Sequence, residues 1–380
     1  MVRKIAVTTG TRSEYGILRP ILENISKNKK LELYLIVTGM HNSKKFGLTI
    51  KEIKKDGFKI FKKFDMLPIN DSNYSVTVAL SKGIKSFADI FKNLNPDINL
   101  ILGDRDEMLA SAIAAYHMNI PNAHIHGGDR SQGGIDEYTR HAITKISNIH
   151  FTASKKSKQR VIKMGENPKY TIFTGSPAID EILSERITNK NDFEKKYGFQ
   201  PSKNYIILLQ HSVTTEINQS RKQIRETLSA IERLHCNTIA LAPNSDAGHE
   251  AIFQELRTQK RKSNFNLYES IPREDFLCLL KNCGVLVGNS SSGMIEASYF
   301  NIPVVNIGIR QKGRERSKNV IDVNHSSTEI FNAVLKCLHK KTNITFNEMI
   351  YGNGNASKKI VKFIEEVRLS DELLKKQIMY

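Results

Sequence analysis

Ile98-Asn-Leu-Ile-Leu-Gly103, the helical stretch from Glu107 to His117, and Asn122-Ala-His-Ile-His126 form the part of the sequence that decides the fold. The first and last runs are short and rich in apolar residues, whereas the segment between them has helical periodicity. Apolar strands separated by helices are typical of a parallel sheet covered on both faces. This stretch therefore predicts one β-α-β unit of an α/β fold.

The same alternation extends in both directions along the 380 residues. Further strands are predicted at residues 4–10, 31–39, 149–152 and 170–174, and a second series at 205–210, 236–242, 265–269, 285–288 and 303–307. This length exceeds what one hydrophobic core usually serves. We expect two Rossmann-like doubly wound domains, residues 1–175 and 176–354, with the change marked by Gly175-Ser-Pro177. The last segment, 355–380, is expected to form a helix that packs back on the N-terminal domain.

The composition of the chain indicates which partners it binds and in which cellular compartment it works. The formal net charge is +18, yet the lysines are scattered over predicted helix faces with no aromatic stripe beside them. We therefore predict an anionic small-molecule substrate and no nucleic-acid partner. No run of eighteen apolar residues occurs and the N-terminus enters a strand directly, which predicts a cytoplasmic protein without a membrane partner. The four cysteines form no Cys-x-x-Cys pair, which favours buried free thiols over a metal site or disulfides.

Residues able to do chemistry gather where predicted strands end. In the first half they are densest between Gly103 and Lys145. In the second half they follow the strands that end near Gln210, Ala242 and Gly288. Ligands of open parallel sheets bind at the carboxyl ends of the strands. We therefore expect the two domains to face each other across a cleft in which both sets of residues meet one ligand.

Two glycine-containing loops limit the possible cofactors. The loop Gly10–Gly16 lacks the Gly-x-Gly-x-x-Gly spacing and no Gly-Lys-Ser/Thr phosphate loop occurs, which disfavours nicotinamide and ATP chemistry. Asn289-Ser-Ser-Ser-Gly293 instead offers backbone N–H groups and hydroxyls to a phosphate between a strand and a helix. The alternative for such a serine-rich turn is a simple helix N-cap. Glu296 favours the binding site, because one carboxylate can accept both hydroxyls of a ribose.

Short motifs in order along nearly the whole chain resemble one enzyme family. They are Gly-Thr-Arg12, Gly-Asp104-Arg105, His-Gly-Gly-Asp129, Ile-Asp-Glu137, Arg140-His141-Ala-Ile-Thr-Lys, His211-Ser-Val-Thr-Thr-Glu, Pro-Asn244-Ser-Asp, Gly-Asn-Ser290-Ser291 through Glu296, and Arg310-Gln-Lys-Gly-Arg-Glu. This set is similar to the UDP-N-acetylglucosamine 2-epimerases. The motifs that begin at His211 and Arg310 are similar to those of the hydrolysing branch, from sialic and legionaminic acid pathways.

The resemblance implies a fold and a reaction. The fold is the two-domain glycosyltransferase-B architecture, in agreement with the strand pattern, and the family tends to homodimers or homotetramers. The reaction is removal of the proton on sugar carbon 2, loss of UDP from carbon 1 to give a glycal, and addition of water to release an N-acetylmannosamine-type sugar. The implied partner is the UDP-sugar substrate, and neither a metal nor a redox cofactor is implied.

Removal of a weakly acidic proton from carbon requires a positioned carboxylate with a suitable pKa. The resemblance gives catalysis to Asp104, Asp129 and Glu137, without dividing base and acid among them. Each carboxylate also has a structural alternative, as a helix cap, a turn residue or the partner of Arg140 or His141 on one helix face. Many relatives carry glutamate where this chain has Asp129, whose side chain is one methylene shorter.

The resemblance assigns the remaining site residues to the substrate. His211 is the fourth predicted catalytic residue, as the group that protonates the departing oxygen. The predicted substrate-binding residues are Arg12, Arg105 and Arg310 for the phosphates, Asn244, Ser290, Ser291 and Glu296 for uridine and phosphate, and Arg140 and His141 as orienters of Glu137. Planar guanidinium groups suit bidentate phosphate contacts. His117, His124 and His126 are predicted to pack within the fold.

Three functions remain open at this point. The first is a hydrolysing 2-epimerase that makes a mannosamine-type sugar for a nonulosonic acid. The second is a non-hydrolysing epimerase or a glycosyltransferase of the same architecture. The third, a basic nucleotide- or RNA-binding protein without catalysis, is disfavoured by the charge distribution. N-acetylglucosamine and a 2,4-diacetamido-6-deoxy sugar are both compatible with these motifs, as are UDP and GDP.

Overall fold

The computed structural model describes residues 2–70, 72–131, 134–183, 187–339 and 349–380. The chain divides into two compact units. Unit 1 comprises residues 1–129, 136–183 and 351–380, and unit 2 comprises residues 130–135 and 184–350. Each unit is built around one sheet.

Thirteen strands lie in the described residues. They are β1 (Arg3–Thr9), β2 (Leu31–Val37), β3 (Ile60–Lys63), β4 (Ile98–Leu102), β5 (Asn122–Ile125), β6 (Ile149–Thr152), β7 (Thr171–Phe173), β8 (Tyr205–Leu209), β9 (Asn237–Leu241), β10 (Phe265–Tyr268), β11 (Val285–Gly288), β12 (Val304–Ile307) and β13 (Val320–Val323).

The α-helices of the same residues alternate with these strands. They are α1 (Arg12–Lys27), α2 (Ile50–Lys55), α3 (Asn73–Leu94), α4 (Asp106–His117), α5 (Asp136–Lys145), α6 (Lys155–Lys163), α7 (Pro177–Ile182), α8 (Lys190–Tyr197), α9 (Ser220–Leu234), α10 (His249–Thr258), α11 (Arg273–Asn282), α12 (Ser291–Ile295), α13 (Ser327–His339), α14 (Ala356–Glu366) and α15 (Asp371–Leu374).

The sheet of unit 1 is parallel, with strand order β3-β2-β1-β4-β5-β6-β7. Every residue of Ile98–Leu102 is buried, as expected for a central strand covered by helices on both faces. The strand order reverses between β1 and β4. The loops that follow these two strands therefore diverge, and the crevice between them is where such sheets bind ligands.

The sheet of unit 2 repeats this architecture with the order β10-β9-β8-β11-β12-β13. All its strand pairs are parallel, and the order reverses between β8 and β11. The loops after these two strands carry His211 and Ser290. The prediction of two doubly wound α/β domains is therefore confirmed.

The C-terminal segment packs on unit 1. Asp180 of α7 accepts hydrogen bonds from the amides of Ala356 at 3.0 Å and Ser357 at 2.7 Å, at the start of α14. A carboxylate at a helix N-terminus satisfies free N–H groups and complements the helix dipole. Ile360 of α14 lies in the same apolar core as Ile5 of β1. Polar and apolar contacts thus both attach this helix to unit 1.

The helices and the cysteines can be compared with what the composition predicted. No helix among the described residues is long and apolar enough to cross a membrane. All four cysteines are free, and Cys278, Cys283 and Cys337 are buried while Cys236 is partly exposed. Burial raises the pKa of the Cys283 thiol, so this thiol stays protonated and unreactive.

Candidate active site

Three neighbouring strands of unit 1 bring predicted site residues to one edge of the sheet. β1 lies beside β4, and β4 lies beside β5. Arg12 begins the helix after β1, Asp104 follows β4, and Asp129 follows β5. Parallel strands have their carboxyl ends at the same edge of the sheet, so these three residues follow neighbouring strand ends.

Asp104 is held by a buried arginine. Arg140 of α5 is 3 % exposed, and its guanidinium donates to Asp104 Oδ2 and, at 3.2 Å, to the carbonyl oxygen of His126. The other Asp104 oxygen has no partner among the described residues, and the side chain is 20 % exposed. Arg140 therefore does not orient Glu137 as the sequence suggested. It fixes one oxygen of Asp104 and leaves the other accessible to a ligand.

Glu137 pairs with His141, four residues further along α5. Glu137 Oε1 and His141 Nε2 are 3.3 Å apart, and the two side chains are 14 % and 27 % exposed. This spacing places both on one helix face, as expected. His141 Nδ1 is buried and has no hydrogen-bond partner within the described ranges. The pair offers an accessible carboxylate beside a second titratable group.

Asp129 differs from the other two carboxylates because it is 0 % exposed. Its Oδ1 accepts a hydrogen bond from the Ser157 hydroxyl at 2.7 Å, and its Oδ2 lies 3.0 Å from Nδ1 of His126. Ser157 lies in the first turn of α6, whose N-terminal dipole favours a negative charge. The shorter side chain is therefore turned into the unit and bound there.

His126 was predicted only to pack, and the structure gives it a more specific environment. Its Nε2 lies 2.9 Å from Ser176 Oγ, opposite the contact with Asp129. Its φ is +67°, a left-handed conformation that is unfavourable for a non-glycine residue and often found at functional sites. Its position between a strand end and Gly127-Gly128 was the sequence signal that this residue turns the chain.

The two predicted phosphate-binding arginines of unit 1 are paired with glutamates. Arg12 Nε donates to Glu52 at 3.0 Å, and Arg105 Nε donates to Glu107 at 3.1 Å. The arginine side chains are 16 % and 19 % exposed. In each pair the glutamate orients the guanidinium, and part of the arginine side chain remains exposed.

Two buried glutamates near this edge were not among the predicted site residues. Glu14 Oε2 accepts from the amides of Gly10 at 3.0 Å and Thr11 at 2.9 Å, while its Oε1 is buried without a partner in the described chain. Glu107 is so close that a Cβ on Gly10 would lie 2.8 Å from its carboxyl carbon. Burial, together with the charge of Glu107, raises the pKa of Glu14 to about 8. The available signal was the Thr-x-x-Glu capping box at the start of α1.

We expect Glu14 to make the free energy of unfolding fall as the pH rises from about 5 to 8. The native state keeps the Glu14 proton up to a pKa of about 8, whereas the unfolded chain releases it from the ordinary value of 4.5 upward. The native state thus binds more protons in this range. At about 1.4 kcal/mol per pKa unit, the expected loss by pH 9 is of order 3–5 kcal/mol. Unfolding by urea at pH 5 and pH 9 measures this loss, with Glu14→Gln as the comparison.

The Glu14→Gln variant keeps an oxygen acceptor for the two backbone amides and removes the titration. It is expected to be more stable than the wild type at pH 9 and similar to it at pH 5, where little of the loss has developed. Glu32→Gln on the exposed side of β2 is the matched control and should not alter the pH dependence. An unchanged pH dependence in Glu14→Gln would mean that Glu14 is already ionised in the neutral native protein.

In unit 2, His211 is fixed through its backbone and its ring. Asn289 Oδ1 accepts from the His211 amide at 2.7 Å, and Asn289 Nδ2 donates to the His211 carbonyl at 2.9 Å. The amide of Asn244 donates to His211 Nδ1 at 3.1 Å. A neutral ring that accepts at Nδ1 carries its proton on Nε2. The geometry therefore makes Nε2 the proton-donating nitrogen.

Asn244 and Arg310 extend this arrangement. The Asn244 side chain donates to Asp246 Oδ2 at 2.6 Å, and Arg310 Nη2 lies 3.4 Å from the same oxygen. Arg310 also donates to the carbonyl of Asn289 at 3.4 Å. Three predicted residues of unit 2, namely His211, Asn244 and Arg310, are thus brought together by Asp246 and Asn289.

The serine turn of unit 2 forms the helix N-cap considered for it, and Glu296 lies at the end of the same helix. Ser290 is the N-cap of the five-residue helix α12 and accepts from the amide of Ser292 at 3.3 Å, while Ser291 opens the helix. Glu296, at the end of this helix, is 3 % exposed and forms an ion pair with Arg273. Its Oε2 is buried and lacks a hydrogen-bond partner in the described part of the chain. That oxygen is an acceptor that a ligand hydroxyl would satisfy.

The chemistry available in the two units differs. Unit 1 offers accessible carboxylates beside a guanidinium or an imidazole, a combination suited to proton transfer. Unit 2 offers an imidazole donor, an arginine and the hydroxyls of a strand-to-helix turn, which suit an anion. Across the ranges that the structure describes, no three His, Cys, Asp or Glu residues are grouped to hold a metal. Doubly wound units with such sites are typical of enzymes that act on nucleotide-linked substrates.

The sequence profile of the UDP-N-acetylglucosamine 2-epimerase family matches residues 23–365. The chain belongs to this family, as its motifs predicted.

Individual relatives support the same assignment, and a solved structure shares the fold. The hydrolysing UDP-N,N'-diacetylbacillosamine 2-epimerase of Legionella pneumophila is 38 % identical over 376 residues, which is 99 % of each chain. The polysialic acid biosynthesis protein P7 of Escherichia coli is 36 % identical over 98 % of this chain and 95 % of its own. The UDP-GlcNAc 2-epimerase of Neisseria meningitidis, crystallised with UDP-GlcNAc, matches with a TM-score of 0.79 at 21 % identity, over 96 % of this chain and 100 % of its own. The structural match confirms the fold.

Proposed function

We propose that this protein is a hydrolysing nucleotide-sugar 2-epimerase. It converts UDP-N-acetylglucosamine, or a 2,4-diacetamido-6-deoxy analogue, and water into UDP and the free 2-epimeric sugar, for nonulosonic acid biosynthesis. The observation that carries the proposal is the Asp104 carboxylate, one oxygen of which is held by Arg140 while the other is accessible. The identity of 38 % to a relative named as hydrolysing supports the choice of branch.

The reaction begins with the proton on sugar carbon 2, which only a positioned base removes at a useful rate. We assign Asp104 and Glu137 to proton transfer at this carbon, because Arg140 or His141 orients each carboxylate and part of each side chain is exposed. The electron pair of the C–H bond forms the double bond between carbons 1 and 2 as the bond from carbon 1 to UDP breaks. Water then adds its hydroxyl to carbon 1, and carbon 2 receives a proton on the opposite face.

Departure of UDP requires a proton donor and positive charge. We assign His211 Nε2 as the donor and Arg12, Arg105 and Arg310 as phosphate ligands. Asn244, Ser290, Ser291 and Glu296 are assigned to uridine and phosphate, with the buried Oε2 of Glu296 accepting from the ribose. The proposal includes a cytoplasmic homodimer or homotetramer, and size-exclusion chromatography with light scattering tests its oligomeric state.

Product analysis on a small panel of nucleotide sugars tests the function. The panel contains UDP-N-acetylglucosamine, its UDP-2,4-diacetamido-6-deoxy analogue and the corresponding GDP sugars, and the assay is run in D₂O. We expect UDP and a free 2-epimeric sugar that carries deuterium on carbon 2, because that proton comes from solvent. A product that remains linked to UDP would indicate the non-hydrolysing alternative. A free sugar without deuterium or epimerisation would contradict the elimination.

A further inference from the structure

A chain of hydrogen bonds in unit 1 connects two of the predicted catalytic carboxylates. Asp129 binds the ring of His126, the carbonyl of His126 accepts from Arg140, and Arg140 binds Asp104. Asp129, His126 and Arg140 are each at most 4 % exposed, whereas the Asp104 side chain is 20 % exposed. Of the two carboxylates, only Asp104 therefore offers surface to a substrate.

The ring of His126 is fixed at both nitrogens. A carboxylate accepts hydrogen bonds, so Nδ1 carries the proton that faces Asp129, and Nε2 is hydrogen-bonded to the Ser176 hydroxyl. These two bonds offset the free energy that a left-handed backbone costs at His126. They also fix the direction of the His126 carbonyl, to which Arg140 is bound.

A second buried histidine supports Asp104 through the backbone. Burial lowers the pKa of His124 to about 3, so its ring is neutral. Its Nε2 donates to the carbonyl of Gly103 at 2.7 Å, and its Nδ1 lies 3.2 Å from the hydroxyl of Thr144 on α5. The residue before Asp104 is thus connected to the helix that carries Arg140.

We propose that Asp129, acting through His126 and Arg140, positions the Asp104 carboxylate for proton transfer and does not itself remove the carbon 2 proton. This inference rests on the proposed epimerase function. Asp129 is then a positioning residue, and its loss displaces the reacting carboxylate. A displacement of about 1 Å at a reacting group costs about 10²-fold in rate. The effect falls on kcat, while KM stays close to the wild-type value because Asp129 does not touch the substrate.

The experiment compares kcat for Asp129→Ala, Asp129→Asn, Asp104→Asn and the double variant Asp104→Asn/Asp129→Ala. The alanine variant lacks the hydrogen bond that Asp129 accepts from His126, and its kcat is expected to be about 10- to 100-fold lower than that of the wild type. Asparagine keeps an oxygen that accepts from His126 Nδ1, so its kcat is expected within about ten-fold of the wild type. Because Asp129 acts through Asp104, the double variant is expected to be no slower than Asp104→Asn.

Two results overturn the positioning role. If the kcat of Asp129→Asn is as low as that of Asp104→Asn while its thermal stability is that of the wild type, Asp129 is a proton-transferring group. Losses that multiply in the double variant show that Asp129 acts independently of Asp104. If Asp129→Ala does not fold, the asparagine variant decides alone, on the same ten-fold criterion.

Controls separate this inference from stability and from the proposed function. Asp180→Ala removes another buried carboxylate of unit 1 and is expected to lower thermal stability with kcat unchanged. If the wild-type protein releases no UDP from any sugar of the panel, the proposed epimerase function is wrong, and so is the role proposed for Asp129. Active wild type with an equally active Asp129→Ala variant overturns the positioning role alone.

Discussion

Asp104→Asn is expected to lower kcat by about two to four orders of magnitude, the range for loss of a positioned base. Asparagine has nearly the same shape and keeps an oxygen for Arg140, but its amide does not take up a proton at neutral pH. The lost interaction belongs to the transition state, so KM is expected to change little. Release of UDP at saturating substrate measures kcat.

The stability of Asp104→Asn has to be measured beside its activity. Arg140 is 3 % exposed, and a buried cation that loses its charged partner destabilises the fold. Assays run well below the unfolding midpoint separate the two effects. Asp89→Asn, from an exposed ion pair on α3, is the matched control and is expected to retain wild-type kcat. A folded Asp104→Asn protein with wild-type kcat would leave the Glu137–His141 pair to transfer the proton.

The fold was predictable wherever a strand is buried on both faces. β4 and β8 were predicted to within one residue because their apolar runs are nearly continuous. β3 and β13 were not predicted. Their sequences, Ile60-Phe-Lys-Lys63 and Val320-Ile-Asp-Val323, contain charged residues and are only partly buried. A strand at a sheet edge pairs on one side only and tolerates such residues, so its hydropathy pattern is weak.

For the site, the sequence predicted which segments contain the functional residues and which residues contact each other within one helix. The position of Asp104 after a strand and the pairing of Glu137 with His141 both follow from local periodicity. The bond from Arg140 to Asp104 joins residues 36 positions apart and depends on how α5 packs against the sheet. The environment of Asp129 depends in the same way on α6. Local patterns contain no information on such packing, so the partners of these carboxylates were not predicted.

His211→Asn is expected to lower kcat by about two to four orders of magnitude, as is His211→Ala. His211 Nδ1 accepts from the Asn244 amide at 3.1 Å, and the asparagine Oδ1 can accept the same bond. The asparagine variant thus keeps the local structure and removes Nε2, the nitrogen that we assign to protonation of the departing UDP. Without that proton UDP leaves as a more basic anion, and cleavage of its bond to carbon 1 slows.

His211→Gln separates hydrogen bonding from proton transfer. A glutamine amide donates near the position of Nε2 but does not release its proton. We therefore expect His211→Gln to have a KM close to that of the wild type and a kcat as low as that of His211→Asn. His235→Asn, at an exposed residue with φ of +50°, is the matched control in unit 2, because asparagine adopts this conformation readily. Wild-type kcat in a folded His211→Asn protein would limit His211 to holding the Asn244 segment in place. Arg310, bound to the same Asn244–Asp246 segment, would then be the group that neutralises the departing UDP.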